Sequence, residues 1–236
     1  LCERRVTFNG SRLFFYFCSM SSTMITPDVF RDLMEKQSTL ILDLRPTSDF
    51  ITGFVPGSIS AGTSGKYDKW IIEAIGGEPV VLISEPGKEE IAADRFSKLV
   101  HSESLLVLAG GYESWVKFAR QADMIIEVEA DELALDLPHD PYLQLIDLRG
   151  EVEFENAHVT KAQHIPLAEL VDLATIANFD EDQQFYLYCG GGQRSVLAAS
   201  LIKRQGVHNL RVVAGGFDAI QQEPSIPLTQ KQDHSG

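Results

Sequence analysis

Cysteine, basic residues and long apolar runs are all scarce in this sequence, and each shortage excludes a class of protein. Three cysteines, Cys2, Cys18 and Cys189, are too few for a disulfide scaffold in 236 residues, so reduced cysteine and a cytoplasmic location are expected. No Cys-x-x-Cys, His-x-x-x-His or His-x-His pair occurs, which argues against a structural zinc site; no metal or cofactor is expected. Only 20 Lys and Arg stand against 34 Asp and Glu, a formal charge of -14. Phosphate backbones want a basic stripe, so no nucleic-acid partner is expected. The apolar run LFFYFC within the first 24 residues is too short for a membrane span and lacks a cleavage pattern after it, so neither span nor signal peptide is expected. That segment also lacks an initiating Met; it reads as an N-terminal extension, a remnant of an upstream region, or a strip whose Phe14, Phe15, Tyr16 and Phe17 pack on the folded body. Exposed, those four rings would make an adhesive patch.

What is present is an alternation of short apolar runs and helical patterns. Residues 26–37 predict a helix with Pro27 in its first turn, residues 39–44, 79–84 and 104–109 predict buried strands, and residues 88–99 a helix between the last two. The order recurs: a helix over 130–137, a strand over 143–148, a helix over 166–175, then strand 184–189, helix 194–205 and strand 209–214. Individual residues repeat as well. Asp43-Leu44-Arg45 returns as Asp147-Leu148-Arg149, and Ala109-Gly110-Gly111-Tyr112 as Ala214-Gly215-Gly216-Phe217, at offsets that differ by one residue. We read a duplication: an extension over 1–24, a first domain over 25–121, a second over 122–230 and a tail over 231–236. Strands alternating with helices imply parallel crossover units, hence two α/β domains, each a mostly parallel central sheet flanked by helices. The Asp-x-Arg break after a strand reads as an ion pair locking strand to loop, a supporting role for Asp147 and Arg149.

Charge is unevenly spread. Residues 125–186 carry 15 acids against Arg149 and Lys161, whereas residues 187–211 carry Arg194, Lys203, Arg204 and Arg211 with no acid. The region around Cys189 is therefore expected to be locally positive, suited to a small anionic substrate. There, Cys189 ends an apolar run and is followed by Gly190, Gly191, Gly192, Gln193, Arg194 and Ser195 before a strong helical pattern. A lone cysteine beside glycine can be a small buried residue. Alternatively, glycines let successive N–H groups turn inward as a cradle, and the helix N-terminus adds partial positive charge, which favours a reactive thiolate. Arg194 can hold a sulfonate or phosphate at the loop mouth. Ser195 caps the helix or donates to the sulfur, with capping preferred. His158 and His164 read as hydrogen-bonding structural residues, His158 in a polar turn.

The first copy supplies a comparison. Its equivalent loop is Ser84-Glu85-Pro86-Gly87-Lys88-Glu89-Glu90. Serine stands where the second copy has its thiol, and Glu89 and Glu90 stand where it has Arg194 and Ser195. The carboxylates would repel an anion, and no histidine sits there to activate the serine, so the first domain is expected to be silent.

The Asp-x-Arg break, the Cys-x4-Arg-Ser loop and the Ala-Gly-Gly-Phe turn together resemble the rhodanese sulfurtransferases, over about residues 26–228. The resemblance implies a persulfide on Cys189, loaded by thiosulfate or a low-molecular-weight persulfide and discharged to a thiol or cyanide, in an enzyme of sulfur metabolism. "VPGSISAGTSGKYDKW" and "VVLISEPGKEEIAADRF" resemble the degenerate rhodanese domain that follows a metallo-beta-lactamase-fold persulfide dioxygenase in bacterial fusion proteins. That implies such a dioxygenase as a partner or as a missing upstream domain; the metal motif His-x-His-x-Asp-His is not in this sequence. Gly190 and Gly191 depart from thiosulfate-specialised relatives, which often place basic residues directly after the cysteine, and this favours a persulfide or thiol partner. Two rivals are a cysteine phosphatase or arsenate reductase, whose loop in the phosphatases is one residue longer, and a non-enzymatic persulfide carrier or docking module.

Overall fold

The computed structural model describes residues 2–8, 11–17 and 23–231, apart from 37, 78, 102 and 181. Its contacts divide the chain into two units, Leu1–Met124 and Ile125–Gly236.

The first unit runs β1 (Cys2–Phe8), β2 (Ser11–Phe17), β3 (Thr23–Ile25), α1 (Pro27–Met34), β4 (Leu40–Asp43), α2 (Thr47–Thr52), β5 (Ile59–Ser60), α3 (Asp68–Ile75), β6 (Val80–Ile83), α4 (Glu89–Phe96), β7 (Leu105–Leu108) and α5 (Gly111–Ala119). Its sheet has the order β1-β2-β3-β7-β6-β4-β5, parallel from β3 to β5 and antiparallel where β1 and β2 add to the edge. The segment read as an extension thus contributes two strands, and Thr23 and Met24 belong to β3; the side chains of Phe14 to Phe17 lie outside the described residues, as does Cys18.

Every residue of β4, β6 and β7 is buried, because helices cover both faces of a parallel sheet and leave no face that tolerates polar side chains. One helix-covered face gathers Ile25, Phe30, Ile83, Leu108 and Trp115 into a core, with the Phe30 and Trp115 rings edge to face at 5.2 Å.

The second unit runs β8 (Ile126–Val128), α6 (Ala130–Asp136), β9 (Leu143–Asp147), α7 (Glu151–Asn156), β10 (Ala157–Val159), β11 (Gln163–His164), a 3-10 turn (Leu167–Val171), α8 (Leu173–Ile176), β12 (Gln184–Tyr188), α9 (Gln193–Arg204), β13 (Leu210–Val213), α10 (Gly216–Ile220) and β14 (Leu228–Gln230). Its parallel sheet has the order β11-β9-β12-β13-β8. This is the order β5-β4-β6-β7-β3 of the first unit, strand for strand, so each unit is the helix-flanked parallel sheet that the repeated pattern implies. In addition β10 and β14 form a separate antiparallel pair.

Two local expectations are corrected. The helix over 166–175 is instead a 3-10 turn followed by the four-residue α8, because the Asp172 carboxylate accepts the Ala174 N–H at 2.9 Å and starts a new helix there. His158 lies in β10, paired with Thr229, and not in a polar turn; its ring stacks on Phe154 at 3.9 Å.

From β9 the chain passes to β11 on one side, and from β12 to β13 on the other. The divergence opens a crevice at the carboxyl ends of β9 and β12, where open parallel sheets take ligands. Asp147 ends β9, paired in register with Tyr188, and Cys189 follows directly on β12.

Candidate active site

Cys189 is buried, and its Sγ receives the Gly192 N–H at 3.2 Å. The loop behind it is fixed by the next strand's turn: the Phe217 N–H donates to the Cys189 carbonyl at 2.6 Å and the Asp218 N–H to the Gly190 carbonyl at 3.1 Å. In a trans peptide the N–H points opposite to the carbonyl. With those two carbonyls held by the start of α10, the N–H groups of Gly190 and Gly191 are turned away from it. Gly216 makes this approach possible, since a Cβ there would lie 2.3 Å from the Cys189 carbonyl oxygen. The Ala-Gly-Gly-Phe turn is therefore the back wall of the cysteine loop.

Of the three consecutive glycines only Gly192 takes the left-handed region, at φ +93, where it is the N-cap of α9. A Cβ at Gly191 would meet nothing closer than Asp218 Oδ2 at 3.8 Å. Gly192→Ala is expected to cost about 1–2 kcal/mol through its positive φ, and Gly191→Ala within about 0.5 kcal/mol. Urea unfolding of the two variants measures the difference; equal losses would contradict the conformational argument.

Ser195 does not cap α9. It is fully buried in the first turn, and its Oγ has no hydrogen-bond partner among the described residues. Arg194 is also not presented as an open anion holder. Its guanidinium is gripped from two sides by Glu153 on α7, Nη1 to Oε2 at 2.8 Å and Nη2 to Oε1 at 2.8 Å. Glu153 is itself fixed by the Gly150 N–H, donating to Oε2 at 3.0 Å. The Arg194 guanidinium beside it holds the Glu153 carboxyl down to about 2. Gln193 opens α9 beside this pair.

The local positive charge expected around the loop is not found there. Lys203 and Arg204 occupy the last turn of α9, roughly 15 Å along the axis from Arg194, where cations suit the helix's negative end. Arg211 lies in β13 and faces the Gln184 side-chain amide. At the loop itself, Arg194 is matched by Glu153, and Asp218 stands opposite Gly191.

Asp147 and Arg149 brace the strand end. The Asp147 carboxylate accepts the Arg149 backbone N–H at 3.0 Å and its Nη2 at 2.6 Å, and Nη2 also reaches the Ala157 carbonyl. The guanidinium lies 3.8 Å over the Phe217 ring. Burial alone would depress the Arg149 group, but Asp147 more than offsets this and it stays charged. Asp43 and Arg45 repeat the arrangement, with Arg45 on the Gly53 carbonyl and 3.8 Å over the Tyr112 ring. Both pairs are locks between strand end and following loop. Phe154 is sandwiched between His158 and His164, whose ring nitrogens meet the Phe154 and Arg149 carbonyls at 2.8 Å.

In the first unit, Ser84 Oγ donates to the Glu85 carbonyl at 3.1 Å. Glu89 accepts the Gly110 N–H at 3.1 Å, and Lys88 pairs with Glu85. Gly87 matches Gly192 with φ +83, so the loop shape survives with a carboxylate where the second unit has a guanidinium. Pro86 and Glu90 complete the loop.

Glu153 was not singled out from the sequence. Its signal is the spacing Gly150-x-x-Glu153 just after a strand, the mark of a capped helix start, but nothing local indicates that it meets Arg194.

The fold and the loop define a class: tandem α/β domains of the same strand order, the second carrying a cysteine loop at its sheet switch point. The chain belongs to the rhodanese family, since the Rhodanese-like domain matches residues 26–118 and again residues 129–223. It is 32% identical over 99 residues, 42% of its length, to the putative sulfur carrier protein YrkF of Bacillus subtilis. It is 34% identical over 88 residues, 36% of its length, to the probable adenylyltransferase/sulfurtransferase MoeZ of Mycobacterium tuberculosis. The matched segments span 52% and 22% of these relatives, so about half of their length or less. Among solved structures, the thiosulfate sulfurtransferase of Pseudomonas aeruginosa covers 89% of this chain, with 44% of its own covered, at 16% identity and a TM-score of 0.40. No helix among the described residues is long and apolar enough to cross a membrane.

Proposed function

We propose that the chain is a sulfurtransferase that carries sulfane sulfur on Cys189, from thiosulfate or a low-molecular-weight persulfide to a thiol or cyanide. The observation that carries this reading is the loop itself: a buried cysteine sulfur receiving the Gly192 N–H at the first turn of α9, with the preceding carbonyls held away by α10. Donors so arranged stabilise negative charge on sulfur.

In the first half, the Cys189 thiolate attacks the outer sulfur of the donor. The donor's S–S bond breaks, and sulfite or a thiolate leaves with the electron pair. In the second half, an acceptor thiolate or cyanide attacks the outer sulfur of the Cys189 persulfide, whose S–S bond breaks to return the thiolate and release a new persulfide or thiocyanate. In this reading Gly190, Gly191, Gly192 and Gln193 line the bound sulfur, and the buried Ser195 hydroxyl, which has no partner among the described residues, is the further donor proposed for it. Arg194 borders the loop, and Asp147 with Arg149 keeps the strand end in place. The first domain, with Ser84 and Glu89, carries no sulfur. A reducing compartment, the cytoplasm, suits a working thiolate.

A second reading is supported by the similarity to a putative sulfur carrier protein: the persulfide is handed to a protein partner and not to a small thiol. The resemblance of the first domain's sequence to those behind persulfide dioxygenases makes such an enzyme the partner proposed.

Intact mass tests both. Incubation with thiosulfate or glutathione persulfide is expected to add about 32 Da, one sulfur, lost again on addition of cyanide or glutathione. An adduct that no small acceptor removes would favour the carrier. Turnover of a phosphate ester without any adduct would overturn the sulfur reading.

A further inference from the structure

Resting on that reading, we infer that Glu153 sets the donor selectivity of the Cys189 loop, by cancelling Arg194 and turning the loop mouth against donors whose charge adjoins the transferred sulfur. Glu153 engages both the helix start on α7 and the arginine of the cysteine loop. The guanidinium is close: Arg194 Nη2 lies 3.1 Å, and Glu153 Oε1 3.9 Å, from where a Cβ on Gly190 would stand. The pair therefore covers the residue next to the sulfur-bearing cysteine.

The cancellation is built in, not incidental. Glu153 has a second anchor in the Gly150 N–H, so the carboxylate stays over the loop without depending on Arg194. Its low proton affinity keeps it charged throughout the working pH range. Asp218 adds a second carboxylate beside Gly191, while Lys203 and Arg204 sit at the far end of α9. Among the described residues, an approaching donor thus meets the Arg194 guanidinium together with the Glu153 and Asp218 carboxylates. Thiosulfate places its charged sulfonate one bond from the sulfur to be transferred. An organic persulfide carries its other charges several bonds away, so such a donor suits this mouth better.

Alkylation measures the charge preference without any sulfur transfer. The Cys189 thiolate displaces iodide from anionic iodoacetate or neutral iodoacetamide, and peptide mapping separates its adduct from those of Cys2 and Cys18. Glu153→Gln keeps an acceptor for the Gly150 N–H while removing the charge. It is expected to raise the iodoacetate-to-iodoacetamide rate ratio at Cys189 by about threefold or more. Glu153→Asp should stay near the native ratio, and adding Arg194→Gln to Glu153→Gln should cancel the gain. In parallel, kcat/KM for thiosulfate should rise in Glu153→Gln while that for glutathione persulfide holds. An unchanged ratio, or equal acceleration with both reagents, would overturn the inference and leave Glu153 as a helix cap. Absence of any sulfur adduct would sink the sulfurtransferase reading instead, and the alkylation ratio would still decide the role of Glu153.

Discussion

Cys189→Ser is expected to abolish sulfur uptake completely while leaving the fold intact. The side chain is buried against backbone of its own loop and receives one N–H at the sulfur; an oxygen of smaller radius fits the same space and accepts the same hydrogen bond. The gain of about 32 Da expected with either donor should vanish, and far-UV circular dichroism should not change. The companion variant is Ser84→Cys. It restores a thiol at the equivalent place, after β6 and before a glycine of the same positive φ. It should nevertheless take up no sulfur, because the following helix begins with Glu89 and Glu90 where the second unit has Arg194 and Ser195. Carboxylates beside a developing thiolate raise the cost of its charge. Uptake by Cys189→Ser would mean that another thiol carries the sulfur; uptake at position 84 would mean that the glycine turn alone makes the cradle.

The largest expected loss of stability comes from Asp147→Ala. Asp147 has no exposed surface and Arg149 is 4% exposed, so removing the carboxylate leaves a buried guanidinium with one carbonyl and the Phe217 ring. Breaking one side of a buried ion pair typically costs about 3–5 kcal/mol. The same loss is expected for Asp43→Ala, whose partner Arg45 is built in the same way. The two are separable by probe. Both tryptophans, Trp70 and Trp115, lie in the first unit, so their fluorescence reports Asp43→Ala, whereas exposure of Cys189 to a thiol reagent reports Asp147→Ala. A loss below about 1 kcal/mol in either would show the pair to be no stronger than a surface ion pair.

Much of the fold was legible because the signals are local. Runs such as Val80-Val81-Leu82-Ile83 are uniformly apolar, as strands buried on two faces must be. What escaped were β1 and β2, in the segment read as an extension, and the short elements. The two-residue β5 and β11 carry too little pattern to recognise, and Asp172 divides what reads as one helix into a 3-10 turn and α8. At the site, the thiol, its glycines and the Asp-x-Arg pairs stood out because their spacing is fixed by backbone geometry within a few residues.

The sequence by itself determined the duplication, the cysteine loop of the second copy and the missing thiol of the first, since each is a matter of residue identity in register. Only the tertiary structure decided the charge at the loop. Arg194, Lys203, Arg204 and Arg211 are neighbours in sequence, yet α9 carries two of them to its far end. Glu153, 41 residues before Arg194, becomes its partner, because β9 and β12 run side by side and deliver the helices that follow them to the same edge of the sheet.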